Sequence, residues 1–215
     1  MEEILGFLDF FLHLDKHLDA VLQSYGGWTY GILFLIIFCE TGLVVTPILP
    51  GDSLLFAAGA LSTRGGLNVH FLALLLLVAA VLGDGVNYHI GKYFGPKVFQ
   101  ERYNKVFKPK YLERTQRFYD RYGGKTIIIA RFVPIVRTFA PFLAGVGTMS
   151  YPRFLTYNII GALLWVLLLV YAGFLFGELQ FVKNNFGVVI LGIIILSILP
   201  AVVEIVRARR EARSL

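Results

Sequence analysis

Long apolar segments constrain this chain more than any other feature of its sequence. Its residues are 57% hydrophobic and only 16% charged, and the mean hydropathy is +0.70. Soluble domains carry about 25% charged residues, and a helix needs about 20 mostly apolar residues to cross a bilayer. The composition therefore predicts an all-α integral membrane protein. The segments that are predicted to be full spans are 71–91, 154–177 and 186–206.

The N-terminal segment 1–27 is too polar to be a span. Apolar residues recur in it at helical spacing, with acidic residues and Lys16 between them. This pattern is typical of an amphipathic helix that lies in the membrane interface, and it is compatible with either leaflet. The pair Gly26-Gly27 is expected to end the helix. The remainder, 28–215, is predicted to form a single membrane domain.

Two further apolar segments, 28–61 and 126–149, are interrupted by prolines and charged residues. Non-helical backbone at membrane depth is tolerated only where protein or trapped water satisfies its polar groups. Each segment ends in Ala-Gly before the next uninterrupted span, so we expect two re-entrant helical hairpins that face each other as an inverted repeat. The predicted breaks lie at Pro47, Pro50, Gly51, Pro134 and Pro141.

Positive charge is concentrated in the loop 92–125, which holds ten Lys or Arg residues against three acids, and in the tail 207–215. The positive-inside rule places both in the cytoplasm. Segment 126–149 must then enter and leave on the cytoplasmic side, because the two spans after it already return the chain there. An anionic lipid surface is the expected partner of the loop, and a nucleic acid is not.

Four charged residues lie within the two broken segments: Glu40, Asp52, Arg131 and Arg137. A charge at membrane depth costs roughly 2.5–3.5 kcal/mol on insertion scales, so such groups face a cavity or one another. Arginine presents a planar fork that grips phosphate at two points, which predicts phosphate binding by Arg131 and Arg137. A desolvated carboxylate beside an arginine can load and release a proton, which suits Glu40 and Asp52 to proton coupling or gating. The alternative is that the four charges only pair and hold the hairpins together.

A second polar pair, Asp84 and Asn87, lies three residues apart on one face of the span 71–91. It is a candidate secondary site, and a simple polar patch at the end of the helix is the alternative. No cofactor and no metal are predicted. His13 and His17 stand at helical spacing, but the sequence offers no third ligand beside them.

Several long motifs in order resemble the bacterial DedA family of SNARE-associated or VTT-domain proteins. They are ETGLVVTPILPGDSLLFAAGAL at 40–61, GDGVNYHIGKYFG at 83–95, ARFVPIVRTFAPFLAGV at 130–146 and YNIIGALLW at 157–165. The resemblance implies a multi-pass inner-membrane protein with two facing re-entrant hairpins. It also implies a part in returning undecaprenyl phosphate to the cytoplasmic leaflet and in maintaining the membrane potential. The resemblance also implies that the functional residues of the family correspond by position to Glu40, Asp52, Arg131 and Arg137.

The predicted function is that of a flippase for a polyprenyl phosphate lipid, with undecaprenyl phosphate recycling as the expected role and protons as the expected coupling partner. The alternatives are a proton-coupled antiporter of small cations or drugs and a passive phospholipid scramblase. An enzyme is not predicted, because membrane lipid phosphatases need histidines near an arginine cluster and the segment 126–149 contains none. The sequence leaves the direction of transport, the coupling ion and the oligomeric state open.

Overall fold

A computed structural model describes residues 14–43, 51–63, 65–98, 119–120, 122–147 and 149–196 of the chain. This part of the chain is helical and contains no β-strand, which confirms the all-α prediction. The helices are α1 (Leu14–Tyr25), α2 (Trp28–Gly42), α3 (Gly51–Ser62), α4 (Val69–Val98), α5 (Thr126–Ala130), α6 (Pro134–Val146), α7 (Tyr151–Phe176), α8 (Gln180–Asn184) and α9 (Phe186–Leu196).

Among these helices, α4 and α7 are long and apolar enough to cross a membrane, as judged from length and composition. Helix α4 continues to Val98, seven residues beyond the predicted end of the span 71–91. Helix α7 coincides closely with the predicted span 154–177. Helix α9 covers the first half of the predicted span 186–206, and the rest of that span and the tail 207–215 lie outside the described residues.

The helix ends follow local chemistry. Helix α1 stops before Gly26, whose φ of 52° is the left-handed conformation that commonly closes a helix. Helix α6 begins with Pro134 in its first turn, where a proline costs no helical hydrogen bond. The helical conformation is therefore interrupted between α5 and α6, at residues 131–133. The predicted interfacial helix is described only from residue 14 onward, as α1.

The predicted hairpin breaks have different outcomes. Gly51 begins α3, and Pro134 begins α6. Pro47 and Pro50 lie outside the described residues. Pro141 does not interrupt the helix, because α6 continues through this residue. A proline ring fits the helical φ, and its cost is the helical hydrogen bond to the carbonyl of Arg137, which neighbouring groups in a membrane protein can offset.

The described helices divide into two compact units, and α2, α4 and α7 contribute residues to both. The first unit contains residues 1–36, 50–77 and 166–196. Its centre is α3, which is buried along almost its whole length and contacts α1. Gly59 of α3 lies against the backbone of Val170, and Gly173 lies against the backbone of Phe56 and Ala60. A methyl group at either glycine would overlap a carbonyl oxygen of the facing helix.

The second unit contains residues 37–49, 78–165 and 197–215. Tyr88, Val136 and Phe154 belong to its hydrophobic core. Gly145 of α6 lies against the backbone of Tyr88 and Lys92. In return Gly91 of α4 lies against the backbone of Phe142.

The two units use the same packing device. In each of them a short helix carries Ala-Gly near its C-terminal end, at Gly59 or Gly145, and this glycine packs on the backbone of a long helix. Each long helix also has a glycine, Gly173 or Gly91, that packs on the backbone of the short helix. An internal repeat would produce this equivalence, since corresponding glycines would serve corresponding contacts. The facing arrangement of the two hairpins stays a prediction.

Gly145→Ala is expected to destabilise the protein by about 1–3 kcal/mol or more, because the new methyl group overlaps the backbone carbonyl of Tyr88. The matched control is Gly192→Ala in α9, where an added methyl group meets no atom within 4 Å. An exposed helical glycine replaced by alanine should be neutral or stabilising by up to about 1 kcal/mol. Unfolding in mixed micelles measures both variants, and equal stabilities would contradict the close packing.

Candidate functional site

The second unit buries a charged cluster around Arg131, which lies in the break between α5 and α6. The side chain of Arg131 is 2% exposed. Its Nη2 donates to Oδ2 of Asp84 on α4 and to Oδ1 of Asn158 on α7, the latter at 2.5 Å. The side chain of Asp84 is 4% exposed. A guanidinium at the helix break is thus held from two directions by side chains of the two long helices.

A second ion pair joins α6 to the end of α2. Nη2 of Arg137 donates to Oε1 of Glu40 at 2.5 Å, and the side chains are 13% and 2% exposed. The end of α2 approaches α4 closely at two glycines, since a methyl group at Gly42 would lie 3.3 Å from the carbonyl oxygen of Gly83. Glycines at this contact let the helix that carries Glu40 pack directly on the helix that carries Asp84.

Both guanidinium groups lie over the indole ring of Trp165 in α7. The Cζ atoms of Arg131 and Arg137 are 5.6 and 5.1 Å from the ring centroid, and the tryptophan is fully buried. Cation–π attraction is strongest for tryptophan and reaches about 2 kcal/mol or more where the pair is desolvated. The ring therefore attracts both guanidinium groups and offsets part of the repulsion between these two like charges.

One face of α7 contacts the side chain of Arg131 along its length. Asn158, Gly161 and Trp165 recur at the spacing of one helical face. A methyl group at Gly161 would lie 3.1 Å from Cδ and 3.2 Å from Nε of Arg131, so the glycine leaves room for that side chain. The amide of Asn158 is oriented by a second hydrogen bond, from its Nδ2 to the carbonyl oxygen of Val81 at 3.1 Å.

Asn87 is fully buried between three helices. Its Nδ2 donates to the carbonyl oxygen of Thr41 at 3.2 Å and to the carbonyl oxygen of Thr138 at 3.0 Å. The carbonyl of Thr41 is in the last turn of α2, where carbonyls lack a helical donor. Asn87 thus ties the helix of Glu40 and the helix of Arg137 to α4.

Buried polar atoms without a hydrogen-bond partner among the described residues are found on both Arg131 and Asn87. They are Nε and Nη1 of Arg131 and Oδ1 of Asn87. Leaving such a group unsatisfied costs about 1–3 kcal/mol, and more where the group is charged. The site therefore retains capacity to donate and to accept hydrogen bonds.

The charges of the site balance. Two guanidinium groups, of Arg131 and Arg137, face two carboxylates, of Asp84 and Glu40, one in each ion pair. Nearby, Tyr119 donates its hydroxyl to the carbonyl oxygen of Ala140 at 2.8 Å. Burial, and secondly the negative charge of Asp84, raises the pKa of Tyr119, so it stays protonated and adds no charge. Among the described residues no cluster of three His, Cys, Asp or Glu side chains could hold a metal ion.

The structure brings Glu40, Arg131 and Arg137 of the predicted site together with the secondary pair Asp84 and Asn87. Asp52 belongs to the first unit, where it lies half-buried in the first turn of α3.

Sequence reasoning did not single out Asn158 or Trp165. An amide in the predicted span 154–177, with a tryptophan seven residues later on the same helical face, is the signal that identifies them.

Comparison with known proteins places these residues in a family. The family model described as the VTT domain matches residues 49–175. Protein DedA of Escherichia coli strain K12 is 58% identical over 99% of this chain and 98% of its own length. An uncharacterized membrane protein of Mycobacterium leprae, ML0287, is 43% identical over 79% of this chain and 76% of its own.

A more distant relative is the inner membrane protein YqjA of Escherichia coli strain K12, which is 36% identical over 71% of this chain and 69% of its own length. No solved structure matches the chain. The family match covers more than half of the chain, and the relatives cover most of it. The chain therefore belongs to the DedA family of VTT-domain membrane proteins.

Proposed function

We propose that this protein is a flippase that moves a polyprenyl phosphate lipid, with undecaprenyl phosphate as the expected substrate, across a bacterial inner membrane. The observation that carries the proposal is the convergence of the buried Arg131 and the largely buried Arg137 on one tryptophan, with three N–H donors of Arg131 left for a ligand. In this proposal the phosphate headgroup crosses through the site while the polyprenyl tail stays in the bilayer.

The two arginines have different parts in this proposal. Arg131 is anchored by Asp84 and Asn158 and serves as a fixed phosphate contact. Arg137 is less buried, and it exchanges its hydrogen bond to Glu40 for one to the phosphate. Glu40 then takes up a proton, because a buried carboxylate that loses its cation favours the neutral form. Binding of the lipid and of the proton would thereby be linked.

Asp52 is proposed as a second proton-coupling or gating group. It lies in the first turn of the twelve-residue helix α3. The positive end of the helix dipole favours a negative charge there.

The membrane placement follows the sequence argument. Segments 28–61 and 126–149 are proposed as re-entrant hairpins, and the basic loop 92–125 and the C-terminus as cytoplasmic. The break between α5 and α6 supports the second hairpin, because Arg131 there has protein partners in place of lipid. The relative YqjA is named as an inner membrane protein, which supports the location.

Movement of a polyprenyl phosphate between the leaflets of proteoliposomes tests the proposal. Transport by the native protein should follow an imposed pH gradient, and Arg137→Ala should lose at least about tenfold of it, since a hydrogen bond to a charged group is worth about 1.5–3 kcal/mol. Lys183→Ala is the matched control, because that cation lies in an exposed ion pair with Glu178 in the first unit. No movement of lipid by the native protein would refute the proposal.

A proton-coupled cation antiporter is the second candidate, and the pairing of each arginine with a carboxylate favours it. In that case Arg137 is only a counter-charge, and Arg137→Lys should retain activity because lysine keeps the charge without the fork. A flippase that grips phosphate should lose activity in the same variant. Lipid movement that ignores the pH gradient would instead indicate a passive scramblase.

A further inference from the structure

The hydrogen bonds of Asn87 fix which atom of its amide faces a ligand. Both hydrogens of Nδ2 are donated to backbone carbonyl oxygens, of Thr41 and Thr138. An amide oxygen cannot replace Nδ2 there, because it has no hydrogen to donate. Oδ1 is therefore an acceptor by necessity, and it has no donor among the described residues. Whatever satisfies it must bring an O–H or N–H group.

Arg131 contributes the opposite capacity. A guanidinium has five N–H donors, and the two on Nη2 go to Asp84 and Asn158. The three donors on Nε and Nη1 have no acceptor among the described residues. Arg131 and Asn87 are each at least nine-tenths buried, so bulk water does not satisfy these groups.

The two sets of groups are held by residues of α4 that lie one helical turn apart. Asp84, which holds Arg131, and Asn87 are three residues apart on α4, which is about 4.5 Å along a helix axis. A ligand that satisfies both sets must bridge them with hydrogen bonds of about 2.8 Å, as a phosphate group with one O–H can. The protein offers three hydrogen-bond donors on Arg131 and one acceptor on Asn87, so the ligand must accept from the former and donate to the latter.

We propose that the site recognises a phosphate monoester in its singly protonated form, with oxygens on Arg131 and the P–OH group donating to Oδ1 of Asn87. This inference rests on the proposed function and names the chemical form of its substrate. The monoanion of a monoester carries one O–H and several acceptors. A phosphodiester, as in ordinary phospholipids, has no O–H, and neither has the doubly charged monoester.

Selection of the protonated form would put the transported proton on the lipid. A lipid that enters the site as the monoanion carries one P–O–H bond through the membrane. On the more alkaline side that bond dissociates, leaving the dianion on the lipid and a proton in the water. One proton would accompany each lipid, in addition to any proton that Glu40 exchanges.

The test compares two ligands with the same charge on the full-length protein in detergent micelles. Decyl phosphate at about pH 5 is mainly a monoanion with one P–OH group, because its second pKa is near 6. Decyl H-phosphonate is also a monoanion, but a P–H bond replaces the P–OH group, so it is smaller and has no O–H. The ionisable groups near the site are Glu40, Asp84, Tyr119, Arg131 and Arg137, and one common pH leaves their charges the same for both ligands.

Decyl phosphate is expected to bind at least about tenfold more tightly than decyl H-phosphonate, because only the former satisfies the buried acceptor. Equal binding would overturn the inference and leave the flippase proposal intact, since an anion would then bind without the hydroxyl and Oδ1 would be hydrated. Binding of neither ligand would overturn both. In Asn87→Leu, if it folds, the preference should vanish, and a preference that persisted would also overturn the inference.

Discussion

Asp84→Ala is expected to lower the free energy of unfolding by about 3–5 kcal/mol. The substitution leaves the guanidinium of Arg131 buried without its carboxylate, which is the costly way to break a buried ion pair. Asn158 alone then holds Nη2. Unfolding in mixed micelles, followed by far-UV circular dichroism, measures the loss.

The exposed ion pair of the first unit provides the matched control. The side chains of Glu178 and Lys183 are 52% and 40% exposed, and their charged atoms are 2.6 Å apart. Glu178→Ala should cost no more than about 1 kcal/mol, because water and salt screen such a pair. A loss in Asp84→Ala as small as that in Glu178→Ala would show that water reaches Arg131.

A double variant separates stability from function at the same pair. Asp84→Leu combined with Arg131→Met removes both charges, and such replacements of buried pairs are often neutral or stabilising by about 1–4 kcal/mol. Stability should therefore return, but transport of the lipid phosphate should not. A stable double variant that still transports would remove Arg131 from the phosphate site and make the pair a structural staple.

Physical rules about membranes predict most of the elements and several members of the site. Charges are costly at membrane depth, so Arg131, Arg137 and Glu40 stand out in apolar segments from the sequence alone. Apolar length identifies α4 and α7. Glycine and proline identify the end of α1 and the start of α6, because both residues act on the backbone locally.

The pairing of these charges is not accessible from the sequence. The pairing alternative joins the arginines to the acids of the first broken segment, Glu40 and Asp52, yet Arg131 pairs with Asp84 of α4. Partner choice depends on which helices meet, and here glycines such as Gly42 and Gly83 decide how closely they approach. A glycine in an apolar span signals close packing without naming the neighbour.

Trp165→Ala is expected to lower the free energy of unfolding by about 3–5 kcal/mol, as for other fully buried large side chains. It also removes the ring over which both guanidinium groups lie. Transport should fall as well, because Arg131 and Arg137 lose the surface that holds two like charges side by side. The same proteoliposome assay and the same unfolding measurement apply.

Two conservative variants distinguish the packing role of the ring from its electrostatic role. Trp165→Leu keeps apolar volume but has no π face, so it should recover part of the stability and none of the transport. Trp165→Phe keeps a weaker π face and should retain part of both. The cation–π attraction lost at one arginine is about 2 kcal/mol, which is about 30-fold in an equilibrium constant. If Trp165→Leu transports as well as Trp165→Phe, the ring only fills space and the arginines are positioned by Asp84, Asn158 and Glu40.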